Sequence, residues 1–127
     1  MARTLDAWRD RLLAKTGSSE DTPFGPDALV YKIQGKMFAL LGLGYRLTLN
    51  LKCDPQDALI LRDAFTCVTP GYHMNKKHWN TVDLTTGLDE ALIDEWIDDS
   101  FELVVRTLPK KLQIQLLGQS QPETRDE

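Results

Sequence analysis

The sequence predicts an α+β, two-layer domain in which an antiparallel sheet carries helices on one face, in the order α-β3-α-β2-α. Two patterns carry that prediction. Leucines alternate strictly with polar residues through Arg46-Leu47-Thr48-Leu49-Asn50-Leu51-Lys52, the period of a strand. Apolar residues recur at helical spacing at Leu5, Trp8, Leu12 and Leu13, and again from Leu88 to Leu108. Strands bounded by helices suit an antiparallel sheet covered on one side, which leaves the other side open for binding.

Taken in order, residues 4–15 form an amphipathic helix that Gly17 ends. Ser18 to Pro26 reads as a loop from its turn residues. Residues 28–34 and 37–43 are short, apolar and broken at Gln34-Gly35-Lys36, the pattern of two strands in a tight hairpin. In the third strand, Leu47, Leu49 and Leu51 face the core, while Arg46, Thr48, Asn50 and Lys52 face outward and leave it half exposed. Asp54-Pro55 starts a helix, because the carboxylate accepts backbone N–H groups and proline tolerates the first helical position. That helix runs to about Phe65, with Ala58, Leu61 and Phe65 inward. Thr66 to Thr69 leads into a Pro70-Gly71 turn, and residues 78–84 form a further strand. The last helical region opens at Thr86-Gly87, with a break expected near Asp98-Asp99-Ser100. Pro109 bends or ends it, and Lys110 to Leu117 adds a turn or two. Residues 1–118 are read as one domain and 119–127 as a polar, flexible tail.

The 127 residues fit one domain with a core of its own, and 42% hydrophobic with 27% charged content is that of an ordinary globular chain. Its apolar runs are too short to span a membrane, and the N-terminus lacks a secretory h-region, so a cytoplasmic protein without membrane contacts is expected. Cys53 and Cys67 show no zinc spacing and read as structural thiols. A net charge of −4 argues against a dedicated high-affinity nucleic-acid binder. The charges are nevertheless unevenly spread. Between Asp27 and Asp54 there is no acid, only Lys32, Lys36, Arg46 and Lys52; from Asp89 to Glu102 there are seven acids and no base.

The stretch Pro70-Gly71-Tyr72-His73-Met74-Asn75-Lys76-Lys77-His78-Trp79-Asn80 gathers aromatic, imidazole, amide and ammonium groups without a carboxylate. Lys76 and Lys77 suit phosphates, and Tyr72 and Trp79 suit stacking on bases or sugars. The competing reading is a solvated turn, with Trp79 packed into the core. His73 and His78 lack the further ligands a metal needs and are read as hydrogen-bonded structural residues. Lys32, Lys36, Arg46 and Lys52 either offer a shallow positive surface or keep an open sheet face solvated. The acids from Asp89 to Glu102 read as a solvated helix face. No nucleophile motif surrounds Ser18, Ser19 or Ser100, so catalysis is not expected, and no cofactor is indicated.

Three segments together resemble the MmcQ/YjbR family of small bacterial proteins: Val30-Tyr31-Lys32-Ile33-Gln34-Gly35-Lys36-Met37-Phe38, the 70–80 stretch, and Asp99-Ser100-Phe101-Glu102-Leu103-Val104 before Leu108-Pro109-Lys110-Lys111-Leu112. The resemblance covers nearly the whole domain. It implies a double-wing α/β fold similar to that of type III secretion chaperones, and DNA binding as the function ascribed to that fold. Combined with the residue reading, it nominates Lys32, Lys36, Arg46, Lys52, Tyr72, His73, Asn75, Lys76, Lys77, His78 and Trp79 for weak, salt-dependent nucleic-acid contacts. The alternative is a protein-interaction module that uses an open sheet or helix face.

Overall fold

The structure of the protein, a computed structural model, describes residues 3–71 and 74–117. Among them the elements run α1 (Leu5–Leu13), β1 (Ser18–Asp21), β2 (Ala28–Ile33), β3 (Lys36–Gly42), β4 (Thr48–Lys52), α2 (Pro55–Ala64), β5 (Val68–Pro70), β6 (Trp79–Asp83), α3 (Glu90–Val105) and α4 (Lys110–Leu117). All strand pairs are antiparallel in one sheet of order β1-β2-β3-β4-β6-β5. The α+β, helix-on-one-face prediction holds, with one strand more than the sequence predicts.

That extra strand is β1, in the segment expected to be a loop. Ser18-Ser19-Glu20-Asp21 has no apolar residue to announce a strand, yet it pairs with Ile33 to Val30 of β2. Glu20 holds it there: its carboxylate accepts from Tyr31 Oη at 2.5 Å and from the Arg9 guanidinium at 3.0 and 2.9 Å. One side chain thus joins α1, β1 and β2.

The β2–β3 hairpin closes through Gln34 (φ 52°) and Gly35 (φ 78°). A two-residue loop with both φ angles positive matches the twist of the strands it joins. Past the turn, pairing steps from Lys32–Met37 to Tyr31–Ala39, leaving Phe38 as the extra residue of a bulge. Phe38 and Ala39 both enter the core, and Phe38 meets Phe101 of α3 edge-on with ring centroids 5.3 Å apart. Such a pair contributes about 0.5–1.5 kcal/mol beyond burial.

Side-chain caps start α1, α2 and α3. Thr4 accepts from Ala7 N, Asp54 from Gln56 N and Asp89 from Ala91 N. α3 lies over the centre of the sheet, burying Ile93, Trp96, Ile97, Phe101 and Val104 against Leu41, Leu49, Leu51 and Val82. It continues unbroken through Asp98-Asp99-Ser100, where a break was expected. The residues there have tertiary partners: Asp98 accepts from Lys15 Nζ at 2.7 Å and Arg11 Nη2 at 3.0 Å, and Ser100 is buried and hydrogen-bonded. Asp94 likewise binds Arg3 and Arg11. These two acids therefore clamp α1 to α3, Asp94 from a half-buried position and Asp98 from the exposed face that the charge run predicts. α4 is a full eight-residue helix, and Val68–Pro70 forms β5, the first of the two strands predicted after α2. The predicted tail, residues 119–127, lies outside the described residues.

Candidate functional site

The helices all pack on one side, and the opposite side of the sheet forms a groove. Strand alternation sends Leu41, Leu49 and Val82 to the core, so Leu40, Asn50 and Thr81 face the other way. Loops overhang this face at Phe24–Ala28, Gly44–Arg46 and Met74–Asn75, enclosing about 1320 Å³. Phe24 and Tyr45 stand on the rim 69% and 97% exposed. That volume exceeds the roughly 300–1,000 Å³ usual for compact small-molecule sites and suits an extended ligand.

The floor is polar. Asn50 is only 5% exposed, contrary to the outward, solvated position expected from alternation. Its place on the helix-free face is as predicted, but the loops cover that face. Thr81 Oγ1 donates to Asn50 Oδ1 at 2.5 Å, Asn50 Nδ2 donates to the Leu40 carbonyl at 3.4 Å, and Thr69 Oγ1 donates to the Thr81 carbonyl at 3.4 Å. Trp79 forms a wall and is itself 9% exposed, so it is chiefly a packing residue, as the competing sequence reading held.

The nominated cations divide into two groups. Lys52 is the cross-strand partner of Trp79, and Lys32 the partner of Met37, a groove-lining residue. Directly opposed residues share a face, so both lysines belong to the open side, at the same end of the sheet. With β3 between their strands they lie about 10 Å apart. Neither makes a side-chain ion pair among the described residues. Lys77, exposed in the adjoining loop, makes none either. The others are engaged. Lys36 Nζ donates to Thr107 Oγ1 at 3.1 Å, on the helix side of the sheet. Arg46 sits at the far end of the groove, paired to Asp83 Oδ2 at 2.9 Å. Burial would raise the Asp83 carboxyl, but Thr85 and Arg46 outweigh it and hold it below its ordinary range. Lys76 Nζ donates to the Gly71 carbonyl at 3.0 Å, so this ammonium closes its own loop.

Asn75 organises that loop: Oδ1 accepts from Lys77 N at 2.9 Å, while its carbonyl accepts from Trp79 N at 3.0 Å and His78 N at 3.1 Å. The His78 carbonyl accepts from Cys53 N at 2.7 Å and extends the β4–β6 ladder. Tyr72 and His73, also nominated, lie outside the described residues. Gly71 abuts the wall. A Cβ there would stand 2.7 Å from Trp79 Cβ and 3.0 Å from the Trp79 carbonyl oxygen, which also accepts from Gly71 N at 2.8 Å.

Arg62 of α2 holds this loop. It donates to Asn80 Oδ1 at 2.7 Å, to the Trp79 carbonyl at 3.3 Å and to the Lys76 carbonyl. No local pattern announces it, since its partners lie 14–18 residues away.

A second cleft of about 350 Å³ opens between α2 and α3, with Leu61, Val82 and Trp96 inside and Asp57, Asp99 and Glu102 among its lining; Lys52, at the end of β4, also borders it. Burial raises the Asp99 carboxyl, with Glu102 and Asp98 adding to the effect. Cys53 lines this cleft, its thiol pushed up to about 11 by burial and then by Asp57 and Asp54, which keeps it protonated at neutral pH. Among the described residues no three His, Cys, Asp or Glu side chains converge as metal ligands, and no helix is long and apolar enough to cross a membrane.

A family model described as YjbR matches residues 13–103. The chain is 44% identical to the uncharacterized protein YbdF of Escherichia coli O157:H7 over 93 residues, 70% of this chain and 74% of that one. It is 32% identical to the uncharacterized protein YjbR of Escherichia coli K12 over 108 residues, 82% of this chain and 92% of that one. In three dimensions it is similar to the crystal structure of Deinococcus radiodurans protein DR2400, a DUF419 domain, with a TM-score of 0.82 at 34% identity, covering 91% of this chain and 88% of that one. A Pseudomonas syringae protein solved by crystallography matches with a TM-score of 0.71 at 30% identity, covering 80% and 98%.

Proposed function

The chain belongs to the YjbR family, and from that premise we propose that it acts by binding, not by catalysis, and that its ligand is a single-stranded segment of nucleic acid laid along the helix-free face of the sheet. One observation carries the reading: Lys32 and Lys52 are the cross-strand partners of Met37 and Trp79, two residues that line the groove, and neither lysine has a carboxylate partner among the described residues. Three ammonium groups without an ion pair among the described residues, those of Lys32, Lys52 and Lys77, supply phosphate contacts. The exposed rings of Tyr45 and Phe24 supply stacking surfaces. The α3 acids lie on the helix side of the sheet; on the open face Asp27 borders the groove and Asp83 is paired with Arg46.

Anisotropy of a labelled ten-nucleotide strand, titrated with wild type and Lys52→Glu/Lys77→Glu, tests this reading. The expected result is binding that weakens with salt and drops at least tenfold in the variant, with unchanged circular dichroism. A variant that binds as well as wild type would remove these lysines from the interface. Retention of a stoichiometric protein partner after nuclease treatment, with no strand bound, would assign the groove to an extended peptide.

A further inference from the structure

Resting on that reading, we propose that Asn50 is a base-reading residue, and that the groove floor takes an unstacked adenine. A carboxamide offers two N–H donors and two acceptor lone pairs. Thr81 fills one lone pair of Asn50 and the Leu40 carbonyl takes one N–H. One donor and one acceptor remain on a side chain that lines the groove and is 95% buried, being 5% exposed. Each polar atom of Asn50 has one partner, and the second N–H and second lone pair stand side by side toward the groove, where a ligand could engage both. The complementary ligand has a donor beside an acceptor on a flat edge and an apolar face for the walls, here Trp79, Met37 and Leu40. Adenine presents that edge as its N6 amino group beside N7, the pairing to which Asn is geometrically matched.

The structure also fixes how Asn50 is held. Thr81 is its cross-strand partner, and the 2.5 Å bond from Thr81 Oγ1 sets the amide orientation, with the oxygen toward β6 and the nitrogen toward β3. Lys52, two residues along the same strand, lies on the same face about 7 Å away, within reach of a phosphate attached to a base on the floor. Base and backbone contacts then come from one strand.

The test compares oligo(dA), oligo(dT) and oligo(dA) with 7-deazaadenine in place of adenine, using wild type, Asn50→Leu, Asn50→Asp and Lys52→Glu/Lys77→Glu. Wild type is expected to prefer oligo(dA) to both other strands by at least about fivefold. Asn50→Asp, which keeps the acceptors and loses the donors, and Asn50→Leu should bring the three strands within about twofold of one another. The lysine variant should weaken all three equally. Having two Asn50 variants guards against one that fails to fold, which thermal unfolding identifies. Strands that bind with salt dependence and without base preference would overturn this inference and leave the phosphate reading standing. If no strand binds, adenosine monophosphate is titrated while the Asn50 side-chain amide signals are followed by NMR. A selective shift there sustains the base site without the strand reading, and no shift overturns it.

Discussion

The hydroxyl of Ser100, on α3, accepts from the backbone N–H of Lys52 at 2.8 Å and donates to the Phe38 carbonyl at 2.6 Å. The β3–β4 ladder has its last pair at Ala39 and Leu51, so Phe38 and Lys52 stand where the strands have begun to part. One fully buried side chain completes the broken ladder and ties α3 to the end of the sheet that carries Lys52.

Ser100→Ala leaves a buried N–H and a buried carbonyl unmatched and is expected to cost about 1–3 kcal/mol. Urea unfolding measures this. A loss below about 0.5 kcal/mol would mean that the strands close onto each other without the hydroxyl.

Removing Arg62 should loosen the loop that closes the groove. Arg62→Ala deletes a guanidinium bonded to Asn80 and to two loop carbonyls, with an expected loss of about 2 kcal/mol. Amide exchange should accelerate at Lys76 to Trp79 and not in the β2–β3 hairpin. Uniform acceleration would indicate general destabilisation.

Gln34 adopts a left-handed conformation that costs a long side chain more than it costs asparagine. Gln34→Asn should therefore stabilise the hairpin by about 0.5–1 kcal/mol, measured as a rise in Tm. A fall would show that the Gln34 side chain contributes something Asn cannot.

Acid should unfold the protein through α1. Hydrogen bonding from Arg9 holds Glu20 below its ordinary range, and that from Arg3 does the same for Asp94. Burial would raise Asp98, but Lys15 and Arg11 outweigh it. Depressed carboxyls stabilise the fold fully above their unfolded values, about 4, and lose that contribution as the pH falls through the folded ones. Asp99 opposes the trend: its raised pKa means that its charge disfavours the fold at neutral pH, a penalty relieved in acid. Urea midpoints between pH 7 and pH 3 should fall below about pH 4, and Glu20→Gln should be less stable at pH 7 with a shallower acid decline. Parallel curves for the two proteins would remove Glu20 from the acid response.

The fold was legible where one residue class repeats at one period. Leu47, Leu49 and Leu51 announced β4, and Gly35 announced the hairpin. β1 was illegible because Ser18 to Asp21 owes its strand to Arg9 and Tyr31, distant in the chain or on another element. α3 was read as broken because Asp98 and Ser100 are poor helix formers; their ion pairs and hydrogen bonds with α1 and the sheet outweigh that preference. In the site, the sequence nominated Lys52 and Trp79 but could not show whether their segments share a surface, nor that Lys76 folds onto Gly71 and Lys36 turns toward Thr107. It placed Asn50 on the correct face and missed its burial, because the covering residues, Phe24 to Ala28 and Gly44 to Arg46, are loops whose reach no periodicity encodes.

The most direct test of the helix-free face as the binding surface is a titration of ¹⁵N-labelled protein with a ten-nucleotide single strand, following the Trp79 indole N–H and the backbone amides of β4, β6 and α3. The account predicts shifts at Trp79, Asn50, Lys52 and Thr81 that fade as salt is added, with α3 unmoved on its acidic outer side. Shifts confined to α3 and α4, or no shifts at low salt, would contradict it.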